Sequence, residues 1–153
     1  MLSGRLGPVG PGYSPGVVLH QPPNPPTRGG CALAATVLVA DDDADIRRFI
    51  EINLRLEGFQ VVTAHDGPDA LAKAIAVQPD LVLLDVLMPG IDGYTICARI
   101  RADASLAGVP VIIVTANYGS AAVEAARQAG ADDYLVKPFL PATLLDKATA
   151  MLS

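Results

Sequence analysis

Five short aliphatic runs, each followed by a stretch with helical spacing, constrain this chain more than any other feature. The runs are TVLVA (36–40), FQVVTA (59–64), DLVLLD (80–85), VPVIIVTA (109–116) and DYLVK (133–137). They are rich in Val, Ile and Leu, and most do not alternate with polar residues. That pattern fits strands buried on both faces. Between them lie ADIRRFIEINLRLEG (44–58), residues 66–78, residues 92–103, residues 119–130 and residues 141–152. The first carries Ile46, Phe49, Ile50 and Leu54 at helical spacing, with Gly58 as its stop. The second has Asp66 or Asp69 near its N-terminus, the fourth is closed by Gly130, and the fifth opens with Pro141, a good first-turn residue. Strand–helix repeated in this way predicts an α/β fold with a parallel sheet covered on both faces. A barrel would need eight strands and roughly 250 residues. A doubly wound sheet is therefore expected, with its ligand site outside the C-terminal strand ends.

The chain has 153 residues, enough for one sizeable core. Hydrophobic residues make up 51% and aromatics only 5%, so that core must be mostly aliphatic. No apolar run approaches the ~18 residues of a membrane span. The longest candidate is CALAATVLVA (31–40), and the N-terminus lacks a secretory pattern. Cys31 and Cys97 make neither a disulfide framework nor a metal motif. A cytoplasmic location is expected. Residues 1–30 hold seven Pro and seven Gly, which favours a disordered extension over residues 1–35 and a domain over residues 36–153. The extension could also reflect a start codon placed too far upstream. Its charges are Arg5 and Arg28 alone. The domain carries 9 of the 11 basic and all 16 acidic side chains, a balance of −7. Such a surface predicts no nucleic-acid partner and suits cations or a basic protein.

The chemistry collects at strand ends. Asp41, Asp42 and Asp43 follow the first run, Asp85 ends the third, Thr115 ends the fourth and Lys137 ends the fifth. In a parallel sheet all of these project from one edge. Clustered carboxylates repel one another, and a hard divalent cation with oxygen ligands, such as Mg²⁺, relieves the repulsion. A nearby lysine and hydroxyl suit phosphoryl oxygens, and an aspartate can accept the group as an acyl phosphate. Asp43 alone reads as a helix cap. A calcium hand is excluded, because Ile46 stands in place of its glycine and Ile52 in place of its twelfth-position acid.

VLVADDD (37–43), LLDVLMPGIDG (83–93), VIIVTA (111–116) and DDYLVKPF (132–139) resemble the receiver domain of two-component response regulators, over residues 36–153 without a gap. The resemblance implies a flavodoxin-like (βα)5 sheet in the order 2-1-3-4-5. That order comes with the family and not from the runs themselves. It further implies that Asp85 is the phosphoacceptor, that Asp41, Asp42, Asp85 and the Leu87 carbonyl hold Mg²⁺, and that Lys137 pairs with Asp85 or its phosphoryl group. Thr115 and Tyr134 would be the switch pair, and the Lys137–Pro138 bond would be cis. A histidine kinase or phosphotransfer protein would donate the group. A downstream protein would be contacted through residues 119–152, with a phosphorylation-dependent homodimer as a further option. The chain ends just past the last helical stretch, which suggests a stand-alone receiver whose output is by protein contact; a receiver cut from a longer regulator or hybrid kinase is the rival reading.

Position 87 is Leu and position 117 is Asn; these are the sites that tune dephosphorylation in the family. Leu87 cannot orient a water, so slow self-hydrolysis is expected, and the protein is not expected to be an enzyme. Leu87 also counts against an aspartate-nucleophile phosphohydrolase, which uses an acid there. No glycine-rich phosphate loop follows the first strand, against a nucleotide binder. Cys97 is expected to be packing only, and His20 and His65 are not phosphohistidine candidates.

Overall fold

The computed structural model describes residues 27–28, 31–32, 34–117 and 119–152. Its elements run in the order β1 (Thr36–Ala40), α1 (Ala44–Leu56), β2 (Gln60–Ala64), α2 (Gly67–Val77), β3 (Leu81–Asp85), α3 (Gly93–Ala102), β4 (Val111–Thr115), α4 (Ser120–Gln128), β5 (Asp133–Val136) and α5 (Pro141–Leu152). The five strands are parallel and lie in the order β2-β1-β3-β4-β5. The fold is therefore the expected doubly wound α/β sheet. Most elements stop one or two residues inside the expected spans. Ends are where hydrophobic pattern gives least information.

Alternation along the strands sorts the core into two layers. Leu38, Val82, Leu84 and Ile113 face one way and pack with Ala70, Ala74, Ile96 and Ile100 of α2 and α3. Val37, Val39, Leu83 and Ile112 face the other way and pack with Ile50, Leu54, Leu144 and Ala148 of α1 and α5. Phe49 departs from the expectation drawn from helical spacing. It is 38% exposed, at the margin of α1, with its ring 5.9 Å from that of Phe139.

Capping residues set where the helices begin. Asp43 Oδ1 accepts from the Asp45 and Ile46 amides, Asp66 Oδ1 from the Asp69 amide, and Asp92 Oδ1 from the Thr95 amide. Gly58 and Gly130 follow α1 and α4 in the left-handed region, at φ 99° and 95°. The end of α2 has no glycine signal; Gln78 adopts φ 55° there. Arg55 and Lys73 donate to the Val61 and Thr63 carbonyls of β2, at 2.9 and 2.7 Å. β2 is an edge strand, and these cations cover backbone acceptors that would otherwise invite another strand.

Thr27–Arg28 and Cys31–Ala32 form a two-residue antiparallel ladder. Ala35 is buried, and its carbonyl accepts from the Gln60 amide at 2.9 Å. The expected disorder otherwise falls on residues outside those described, as does His20. Among the described residues, no helix is long and apolar enough to cross a membrane.

Candidate functional site

The strand order reverses at β1, so the C-terminal ends of β1 and β3 flank the crevice. Asp41 follows β1 and is fixed on several sides. Its amide donates to the Ala64 carbonyl at 3.1 Å, its Oδ1 accepts from the Asp43 amide at 2.9 Å, and its own carbonyl accepts from Arg47 Nη1 at 2.7 Å. Asp42 is exposed at the rim. Asp85 is the last residue of β3, and the chain turns tightly after it. The Gly93 amide returns to the Val86 carbonyl at 2.9 Å, and a Cβ at Gly93 would collide with the Asp85 carbonyl. The glycine of the IDG sequence thus lets α3 start against the end of β3.

Asp41, Asp85 and Thr115 are the buried polar residues here, at 1%, 6% and 4% exposure. Lys137, one residue past β5, reaches across the crevice. Its Nζ lies 3.1 Å from Asp85 Oδ1 and 3.1 Å from Asp41 Oδ2. The Asp85 contact is a hydrogen bond. The Asp41 contact is an ion pair without hydrogen-bond alignment, and among the described residues Asp41 Oδ2 is the buried side-chain polar atom that has no hydrogen-bond partner. The Lys137 amide also donates to the Thr115 carbonyl at 2.7 Å, and the Lys137–Pro138 peptide is cis, as expected. Thr115 Oγ1 accepts from the Asn117 amide at 3.0 Å. Tyr134 sits opposite Ile113 in the β4–β5 register, half-buried, with Lys147 Nζ 5.5 Å from its ring centroid. Leu87 lies two residues past Asp85, with its side chain 75% exposed.

Burial, and then the neighbouring Asp41 carboxylate, push the Asp85 pKa up from 3.8 to about 6 against the pull of Lys137. Burial works against the Lys137 ammonium, but the Asp41 and Asp85 carboxylates outweigh it and raise its pKa. Carboxylate oxygens of Asp41, Asp42 and Asp85 all come within 4.8 Å of one another, and among the described residues no other such cluster of acids, His or Cys forms. Oxygen-only donors, a buried carboxylate oxygen that is ion-paired but lacks a hydrogen bond, and an open rim fit a hard divalent cation of the Mg²⁺ kind.

The sequence-predicted acids, Thr115 and Lys137 are thus brought to one crevice, and Tyr134 lies one strand away. Two features escaped sequence reasoning. Lys137 spans both acids rather than Asp85 alone, and Arg47 holds the Asp41 main chain. The first joins residues that only the fold brings together; the second joins residues six positions apart, but a side chain bonding back to a turn carbonyl leaves no mark in the hydrophobic pattern. Cys97 is buried in the core, and burial raises its thiol pKa to about 11, consistent with packing. His65 is exposed, with Nδ1 3.0 Å from Asp69 Oδ2.

Residues 37–149 match the family model described as the response regulator receiver domain. The chain belongs to the response regulator receiver family. Among curated relatives, this receiver is 41% identical over 116 residues to the DNA-binding response regulator MtrA of Mycolicibacterium paratuberculosis, covering 76% of this chain and 50% of that protein. It is 40% identical over 116 residues to the DNA-binding dual master transcriptional regulator RpaA of Synechocystis, covering 76% and 48%. The chain therefore spans about half the length of the curated relatives it matches. Among solved structures, the chemotaxis protein CheY4 of Vibrio cholerae superposes with a TM-score of 0.76 at 33% identity, covering 78% of this chain and all of that one. The receiver is a two-component signalling domain, and its flavodoxin-like fold agrees with these neighbours.

Proposed function

We propose that this receiver takes a phosphoryl group on Asp85 from a histidine kinase or phosphotransfer protein and signals by a change of conformation. The observation that carries the reading is the Lys137 ammonium held 3.1 Å from both Asp85 and Asp41 at the switch point of the sheet. A carboxylate buried to 6% exposure needs a reason to stay ionised, and this arrangement supplies one together with a nucleophile. A carboxylate oxygen of Asp85 attacks the phosphorus of the donor phosphohistidine. An O–P bond forms as the P–N bond breaks, and the imidazole leaves with that electron pair, protonated on its other nitrogen. Asp41, Asp42, Asp85 and the Leu87 carbonyl would hold Mg²⁺, which when bound offsets the charge on the phosphoryl oxygens. Lys137 keeps Asp85 oriented and then meets a phosphoryl oxygen.

Once the group is in place, the Thr115 hydroxyl leaves the Asn117 amide for a phosphoryl oxygen, and Tyr134 follows it inward. A pre-existing equilibrium shifts at the face formed by α4, β5 and α5, within residues 119–152. Output passes through protein contact at that face, to a downstream protein or to a second copy of the chain. The domain of residues 36–153 carries this function, and Ala35 belongs with it, because its side chain is buried in the core. Leu87 offers no polar group to orient a water beside Asp85, so the phosphoryl group persists for minutes or longer and self-hydrolysis is slow.

Beryllofluoride with Mg²⁺ tests the switch. The expected NMR result is amide shifts at Thr115 and Tyr134 that extend through residues 119–152 and vanish in Asp85→Asn. Shifts confined to Asp41, Asp42 and Asp85 would overturn the signalling half of the proposal.

A further inference from the structure

Arg47 lies in the first turn and a half of α1, four positions after the Asp43 cap. A cation there opposes the helix dipole, whose positive end is at the N-terminus. Its guanidinium is not directed at a surface acid within reach of the helix pattern. Nη1 instead donates 2.7 Å to the Asp41 carbonyl, back across the β1–α1 turn. The remaining polar groups of Asp41 are committed too: the amide to Ala64 and Oδ1 to the Asp43 amide. Only Oδ2 is left, buried, without a hydrogen bond, and 3.1 Å from Lys137. The turn that carries Asp41 and Asp42 is thus pinned to β2 on one side and to α1 on the other, and Oδ2 meets Lys137 in the crevice.

We infer that Arg47 is a positioning residue for the cation site: by holding the Asp41 carbonyl it fixes the main chain of Asp41–Asp42 and presents their carboxylates together. This rests on the reading of that crevice as a Mg²⁺ site. It makes a prediction opposite in sign to simple electrostatics. Removing a positive charge near two carboxylates should tighten cation binding, whereas removing a tether should loosen it.

The test is calorimetric titration of Mg²⁺ into the full, unphosphorylated chain, with variants Arg47→Met, Arg47→Lys and Arg48→Met. Arg48 is exposed and one residue along, so Arg48→Met removes the same charge without touching Asp41. Loss of the Arg47 hydrogen bond is expected to weaken Mg²⁺ binding roughly three- to ten-fold. Arg47→Lys, which keeps one donor, should recover part of it, and Arg48→Met should match the parent or bind slightly tighter. Amide shifts of Asp42 and Asp43 should move in Arg47→Met before any metal is added. Ala74→Gly, a buried change on α2 away from the crevice, controls for general loosening and should lower the unfolding midpoint with Mg²⁺ affinity unchanged. Arg47→Met binding as tightly as Arg48→Met, or Ala74→Gly weakening Mg²⁺ as much as Arg47→Met, would overturn the inference while leaving the site reading intact. Failure of the parent chain to bind Mg²⁺ would instead remove the site reading, and the inference with it. Should Arg47→Met not fold, Arg47→Lys against Arg48→Met carries the same comparison.

Discussion

Asp85 is held in a state of opposed demands. Burial and the Asp41 carboxylate favour its neutral form, Lys137 favours its charged form, and the balance leaves the pKa at about 6. The consequence for metal-free stability has a definite sign. A carboxyl whose folded pKa exceeds its unfolded value of 3.8 binds its proton more tightly in the folded state. Folding is therefore penalised at pH above about 6, and the penalty disappears as pH falls below about 4. Asp85→Asn is expected to stabilise the metal-free protein by roughly 1–3 kcal/mol at pH 7.5. At pH 4 the two proteins should have the same urea midpoint, and a gain at pH 4 as large as at pH 7.5 would contradict this account. Leu87 belongs at this scale as well. A purified phosphorylated chain that lost its group within seconds in Mg²⁺ would disagree with a side chain that offers no polar atom to water.

At the scale of elements, the loop between β3 and α3 is shaped by close contacts rather than by hydrogen bonds alone. A Cβ at Gly93 would meet the Asp85 carbonyl, and one at Gly67 would stand 2.5 Å from the Ile91 carbonyl oxygen. Both obstacles are main chain, so neither can yield as a flexible side chain would. Gly93→Ala is expected to cost ~2 kcal/mol or more in urea unfolding. Gly119→Ala, where nothing lies within 4 Å of the new Cβ and the backbone is ordinary, should stay within ~0.5 kcal/mol. Equal effects at the two positions would mean that this loop has room to adjust. Elements were largely legible in the sequence, because aliphatic runs and helical spacing are local signals. The acids Asp43, Asp66 and Asp92 mark where three helices start for the same reason. The end of α2 was not legible: Gln78 takes a left-handed conformation that its side chain does not announce. Phe49 was misplaced because helical spacing identifies a face but not how far the neighbouring layer extends.

At the scale of the whole molecule, the sheet order could not be read from the runs, since crossovers between parallel strands leave no local trace. It came with the resemblance to receivers, and the strands do lie as β2-β1-β3-β4-β5. Once that order is fixed, the site follows. Asp41, Asp85, Thr115 and Lys137 sit at the same end of successive neighbours, so residues up to 96 positions apart in the chain converge on one crevice. The Lys137 bridge to both acids is a product of that convergence, and no short window of sequence contains it, whereas the Arg47 tether spans six positions across the β1–α1 turn. The proposed switch uses the same geometry in reverse, since a group added at β3 is felt by Thr115 on β4 and Tyr134 on β5 before it reaches α4 and α5.

The most direct measurement of the central claim is intact-mass spectrometry after incubation with acetyl phosphate and Mg²⁺, followed by mapping of the modified residue. The account predicts a single phosphoryl adduct that needs the metal, maps to Asp85 and is absent from Asp85→Asn. An unmodified but folded parent chain, or an adduct that survives in Asp85→Asn, would contradict it.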